Sequence, residues 1–196
     1  VLSLPTLKDG VSRTRLMKLI ILDRDGVINE DSDAYVKSLA EWLPIPGSIE
    51  AIARLSKAGF TVAVATNQSG LARGYFSLDT LNAMHTHMHA LVAAQGGQIA
   101  YIAYCPHINA DQCECRKPKP GLLTEIAAHF AADLSEAVVV GDSLRDWQAA
   151  AAAGAGYVQV RTGKGERTLA DGRLPSHIEV FDNLALYVDS LLGHAH

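Results

Sequence analysis

Only three cysteines occur in the 196 residues, and Cys105, Cys113 and Cys115 share one short stretch. A disulfide framework spreads its bridges through a small secreted domain, so this clustering argues against one and points first to metal ligation. A basic excess is also missing. Seventeen Lys and Arg stand against 21 Asp and Glu, which gives a net charge of −4 and a pI near 6.0. That balance offers no electrostatic footprint for nucleic acid or an anionic membrane, so any phosphate recognition has to come from local placement. No apolar run approaches the roughly 18 residues of a membrane span, and no charged start leads into an apolar stretch with a small-residue cleavage site. Cytoplasm is the expected compartment. Internal repeats and low-complexity linkers are absent as well.

What is present suits one domain with a substantial core, at 48% hydrophobic residues. Residues 1–16 show no clear period and are expected to be an extension or tag, with Met17 the natural start and 17–196 a single domain. Short apolar runs bounded by turn-forming residues predict five buried strands at Leu19–Leu22, Phe60–Ala65, Ile99–Tyr104, Ala137–Val140 and Tyr157–Val160. Helical patterns fall between them, at Ser48–Ala58, Ser77–Ala94, Gly121–Ala132 and Ser143–Ala153, and a closing helix is read at Phe181–Leu192. The polar stretch Thr162–Pro175 is read as a surface loop. Parallel strands need long, right-handed crossovers, so the alternation predicts an α/β fold: a doubly wound parallel sheet with helices on both faces.

Sites in such folds lie beyond the carboxyl ends of strands. Polar residues follow the first, second and fourth runs directly, as Asp23-Arg24-Asp25, Thr66-Asn67-Gln68 and Gly141-Asp142. One Asp after a strand is often a turn former or cap. Three converging carboxylates repel one another unless a cation sits among them, and oxygen ligands in that number suit Mg²⁺. Cys105 and His107, followed by Cys113 and Cys115, offer four donors for a tetrahedral Cys3His zinc site of the structural kind. Its last ligand immediately precedes Arg116 and Lys117, so its expected service is to hold those cations. His85 and His89 stand one helical turn apart but lack a carboxylate to complete a metal set, and read as helix surface. His194 and His196 read as a frayed terminus.

Asp23-Arg24-Asp25 and Gly141-Asp142-Ser143-Leu144-Arg145-Asp146 resemble the first and last motifs of the haloacid dehalogenase-like phosphatases. The resemblance implies a Rossmann-like fold and a phospho-aspartate mechanism. In it Asp23 is the nucleophile, Asp25 the general acid and base, and Asp23, Asp25 through its backbone carbonyl, and Asp142 the Mg²⁺ ligands. Thr66 matches the second motif and Lys117 the third, both as groups that hold the phosphoryl oxygens. No large insertion follows the first or third strand, so no cap domain is expected.

Val64-Ala65-Thr66-Asn67-Gln68-Ser69-Gly70, Cys115-Arg116-Lys117-Pro118 and the zinc loop are similar to one subgroup, over about 17–168. That subgroup contains heptose bisphosphate phosphatases and histidinol-phosphate phosphatases. The resemblance implies a small phosphorylated sugar as substrate, contacted by Asp31, Tyr35, Asn67, Gln68, Ser69 and Arg116. Residues 65–74 and 115–121 resemble the heptose group more than the histidinol group, as does Asp31–Tyr35, whereas the short His107–Cys113 spacing resembles the histidinol group. The resemblance thus implies removal of the C7 phosphate of a heptose 1,7-bisphosphate, with histidinol phosphate as the alternative substrate. A third possibility is a zinc-stabilised binding module without catalysis, although none of the five motif residues is missing. A monomer is expected.

Overall fold

In the computed structural model, which describes residues 17–193, β1 (Lys18–Leu22) lies at the centre of a six-stranded parallel sheet. The expected extension at 1–16, and His194 and His196, lie outside the described residues. On one side of β1 come β2 (Phe60–Asn67) and then β3 (Tyr101–Cys105); on the other come β4 (Val138–Gly141), β5 (Gly156–Val160) and β6 (Glu179–Phe181). The chain builds outward from β1 in one direction and then in the other. The strand order therefore reverses beside β1, and a crevice opens at the carboxyl ends of β1, β2 and β4.

Alternate residues of β1 point to opposite faces. Ile20 and Leu22 enter a core with α1 (Ser48–Lys57), α2 (Leu78–Ala94) and α6 (Leu184–Leu192), through Ile52, Leu55, Met84, Met88 and Val188. Leu19 and Ile21 enter the other core, where Leu122 and Ile126 of α3 (Gly121–Phe130) meet Ala149 and Ala150 of α4 (Leu144–Ala153). The alanines of α4 leave no bulk between helix and sheet, so its amino end sits close under the strand ends. Ser143 caps that end. Its hydroxyl donates to Asp146 Oδ2 at 2.7 Å and its N–H to the same oxygen at 3.0 Å.

The doubly wound expectation agrees with this sheet, with corrections at its β6 edge. The sheet has six strands, not five, because Glu179–Phe181 pairs with Val158–Val160. Phe181 thus belongs to a strand, and the last helix starts at Leu184 after Asn183, whose side chain accepts from the Leu186 N–H. The stretch read as a loop at 162–175 contains α5 (Gly165–Asp171). No inserted domain interrupts the described residues.

Candidate active site

β1 ends in a tight turn. The Arg24 carbonyl accepts the N–H groups of Val27, Ile28 and Asn29 at 3.3, 2.8 and 3.2 Å, which turns Asp23 and Asp25 into the crevice. Gly26 has φ +86°, and a Cβ there would stand 2.0 Å from Asp142 Oδ2. Only glycine lets this turn close against the end of β4.

Asp25 is fixed from three sides. Its Oδ1 accepts from Arg24 Nη2 and Asn29 Nδ2, each at 2.9 Å, and its Oδ2 from Gln68 Nε2 at 2.8 Å. Burial favours its neutral form, but the Arg24 charge and these hydrogen bonds outweigh burial and hold the carboxyl below its ordinary range.

Asp23, Asp142 and Asp146 bring carboxylate oxygens within 4.8 Å of one another. Lys117 Nζ lies 3.0 Å from Asp23 Oδ1 and 2.6 Å from Asp146 Oδ1, and donates to the Ala65 carbonyl at 2.8 Å. Three carboxylates around one ammonium leave two negative charges in a buried cluster. Burial, then Asp146, then Asp25 push Asp23 up to about 7 against the pull of Lys117. Burial and the charges of Asp146 and Asp23 raise Asp142 in the same way. Asp146 instead is held low despite burial, because Lys117 and Ser143 engage it. The set fits a hard divalent cation on chemistry: all its donors are oxygens and its charge deficit is two. The Asp25 carbonyl, which accepts no backbone hydrogen bond among the described residues, is available as a further ligand.

The expected phosphate and sugar contacts divide in two. Thr66 is buried at the end of β2, accepts from Gln68 Nε2 at 2.9 Å and, unlike the other expected contacts, is outside the lining of the cleft. Asn67 is spent on structure, because its amide brackets the Lys117 backbone with two bonds of 3.1 Å. Asp31, Tyr35, Asn67, Gln68, Ser69, Arg116 and Lys117 all line a cleft of about 230 Å³ that also holds Asp23, Asp25 and Asp142. Asp31 pairs with Lys164, and Tyr35 holds φ +67° while its ring meets Tyr75 edge-on at 5.1 Å.

Cys105, His107, Cys113 and Cys115 converge on one point. Five of the six donor–donor separations lie between 3.1 and 3.6 Å. A tetrahedron with Zn–S near 2.3 Å has S···S edges of about 3.8 Å and S···N edges of about 3.5 Å, so the four donors fit zinc. From this knot Arg116 reaches Asn109 Oδ1 at 2.6 Å and the His107 carbonyl at 3.1 Å.

Several site groups go beyond those expected. Asp146, inside the quoted last motif, completes the carboxylate cluster. Lys164 and Arg145 also line the cleft. Lys164 was hidden in a stretch read as loop. His85 is not helix surface: it is 8% exposed and meets Arg24, whereas His89 is exposed. Helical spacing alone could not show that a turn from β1 covers one of the two histidines.

A model of the HAD-hydrolase-like family matches residues 114–186. The chain is 60% identical over 176 residues to the D-glycero-β-D-manno-heptose-1,7-bisphosphate 7-phosphatase of Pseudomonas putida, covering 90% of this chain and all of that one. It is 56% identical to the enzyme of the same name from Neisseria meningitidis serogroup B, over 86% of this chain and 91% of the relative. Among solved structures, it superposes on D,D-heptose 1,7-bisphosphate phosphatase from B. bronchiseptica, complexed with magnesium and phosphate. That match has a TM-score of 0.87 and 55% identity over 90% of this chain and 98% of the other.

Proposed function

The chain belongs to the heptose 1,7-bisphosphate 7-phosphatase family of HAD-like hydrolases, and on that premise we propose how its residues remove a C7 phosphate. The substrate is D-glycero-D-manno-heptose 1,7-bisphosphate, a precursor of lipopolysaccharide heptose, and the enzyme acts in the cytoplasm. The observation that carries the reading is the convergence of Asp23, Asp25, Lys117 and Asp142 in one cleft with Arg116 on its wall.

Asp23 Oδ1 is engaged by the Arg24 N–H at 2.7 Å and by Lys117, while Oδ2 has no protein donor among the described residues. A free oxygen on a fixed carboxylate is a suitable nucleophile. Asp23 attacks phosphorus, the bond from phosphorus to the C7 oxygen breaks, and Asp25 gives that oxygen its proton. Asp25 then takes a proton from water, which attacks the aspartyl phosphate and releases inorganic phosphate with Asp23 regenerated. Thr66 and Lys117 donate to the phosphoryl oxygens. Asp23, the Asp25 carbonyl and Asp142 would hold Mg²⁺, whose positive charge would offset the repulsion of an anionic nucleophile and an anionic ester.

Arg116 is oriented by neutral acceptors, and Arg145 is exposed; neither pairs with a carboxylate among the described residues. Their charge is free to receive the second phosphate of a bisphosphate, and Asp31, Tyr35 and Ser69 face the sugar. Residues 108–112 do not themselves line the cleft, and Asn109 among them acts on it through Arg116. Zinc at Cys105, His107, Cys113 and Cys115 pins the segment that carries Arg116 and Lys117. All these groups come from one chain, so a monomer suffices.

Phosphate release in Mg²⁺ from heptose 1,7-bisphosphate, other sugar phosphates and histidinol phosphate tests the reading. The heptose bisphosphate should give the highest kcat/KM; a preference for histidinol phosphate would reject it.

A further inference from the structure

Arg24 is fully buried, yet its guanidinium, with five N–H donors, has only two side-chain anchors. Nη2 donates to Asp25 Oδ1 at 2.9 Å, Nη1 stands 3.3 Å from His85 Nε2, and Nε has no partner. An arginine is always a donor, so the facing nitrogen of His85 has to be the acceptor. That assigns the imidazole proton to Nδ1. The imidazole lies on α2 with the Tyr104 ring 6.4 Å away, and its burial beside a guanidinium lowers its proton affinity to a pKa of about 4. It is therefore neutral at pH 7. Asp25, in turn, is held on the same oxygen by Asn29 and on the other by Gln68. With His85 removed, Arg24 would keep one anchor, and the charged one of the three donors that fix the Asp25 carboxyl would be free to rotate away, leaving Asn29 and Gln68 alone to orient it.

We propose that His85 is a positioning residue for proton transfer: its Nε2 accepts from Arg24 and thereby locks the guanidinium that orients Asp25. The inference rests on Asp25 being the acid and base proposed above. His85 is outside the lining of the cleft and its Nε2 is turned to Arg24, so its proposed part is to position and not to contact substrate.

Two substitutions separate this role from packing. In His85→Gln the amide oxygen reaches the place of Nε2, whereas in His85→Asn it reaches only the place of Nδ1. On heptose 1,7-bisphosphate with saturating Mg²⁺, His85→Gln should keep kcat within about threefold of the parent. His85→Asn should lose about 10- to 100-fold in kcat with KM within about twofold, because the phosphate-binding groups are untouched. Equal kcat in the two variants, or a loss confined to KM, would overturn the proposal. Nitrogen-15 NMR of the intact parent protein gives a reading that needs no variant: His85 Nε2 should show the shift of an unprotonated acceptor and Nδ1 that of an N–H. A protonated Nε2 would also overturn it. Asp25→Asn provides the separate control: if that variant keeps full turnover, the acid–base reading fails, whereas with it inactive an equal pair of His85 variants defeats the inference alone.

Discussion

Asp23 and Asp25, two residues apart, are displaced in opposite directions: burial and Asp146 push Asp23 up to about 7, while Arg24, Asn29 and Gln68 hold Asp25 low against its burial. For the nucleophile and general acid proposed at Asp23 and Asp25, the resting order is inverted. Mg²⁺ held by Asp23 would favour its ionised form, and a phosphate dianion bound near Asp25 would favour its protonated form, so binding would restore the order that the proposed reaction needs. The sign of a stability effect follows. A carboxyl whose folded pKa lies above its unfolded value of 3.8 adds stability below that value and loses it as pH rises through about 7. Mg²⁺ competes with that proton, so it should raise the melting temperature more at pH 8 than at pH 6; an equal gain at both would contradict it. Asp23→Asn should cut turnover by at least about 10³-fold with an unchanged circular dichroism spectrum. Retained activity would reject a covalent intermediate. Gly26→Ala puts a methyl onto Asp142 at a left-handed φ and should cost about 1–3 kcal/mol by denaturant unfolding.

The segment from Cys105 to Pro120 unites the four Cys and His donors proposed for zinc with Arg116 and Lys117. Protein grown with zinc should hold about one zinc per chain after brief EDTA dialysis that removes Mg²⁺, by elemental analysis. Cys115→Ser should lower the melting temperature by about 5–15 °C, at roughly 2–4 °C per kcal/mol, and raise KM as Arg116 loses its seat. An unchanged melting temperature would refute the zinc role. This segment was legible because its chemistry is local: four donors and two cations lie within thirteen residues. β1, β2 and β4 were legible because strands buried on both faces read as unbroken apolar runs. β6 was not, since Glu179 and Val180 are exposed and only three residues pair. α5 was not either: its seven residues are mostly polar, and its buried residues are Gly165 and Thr168, the latter donating to the Asp142 carbonyl at 2.9 Å. His85 was misread for a related reason, since what buries it is a turn 61 residues away in sequence.

At the scale of the molecule, the site is a join between the two halves of the sheet. β1 and β2 bring Asp23, Asp25 and Thr66; β4 and α4 bring Asp142 and Asp146; Lys117 crosses from the zinc segment to hold both sets. The carboxyl-end rule located the first four of these from the order of elements, and the last motif already contained Asp146, but its pairing with Lys117 required the fold. No inserted domain covers the cleft among the described residues, and Asp31, Tyr35, Arg116 and Arg145 all stand on its walls, where the proposed selection of substrate would take place. Phosphorus-31 NMR of D-glycero-β-D-manno-heptose 1,7-bisphosphate, incubated with the protein and Mg²⁺, tests this account most directly. The C7 phosphate resonance should convert to inorganic phosphate while the C1 resonance persists. Loss of the C1 phosphate first, or no conversion in Mg²⁺, would contradict it.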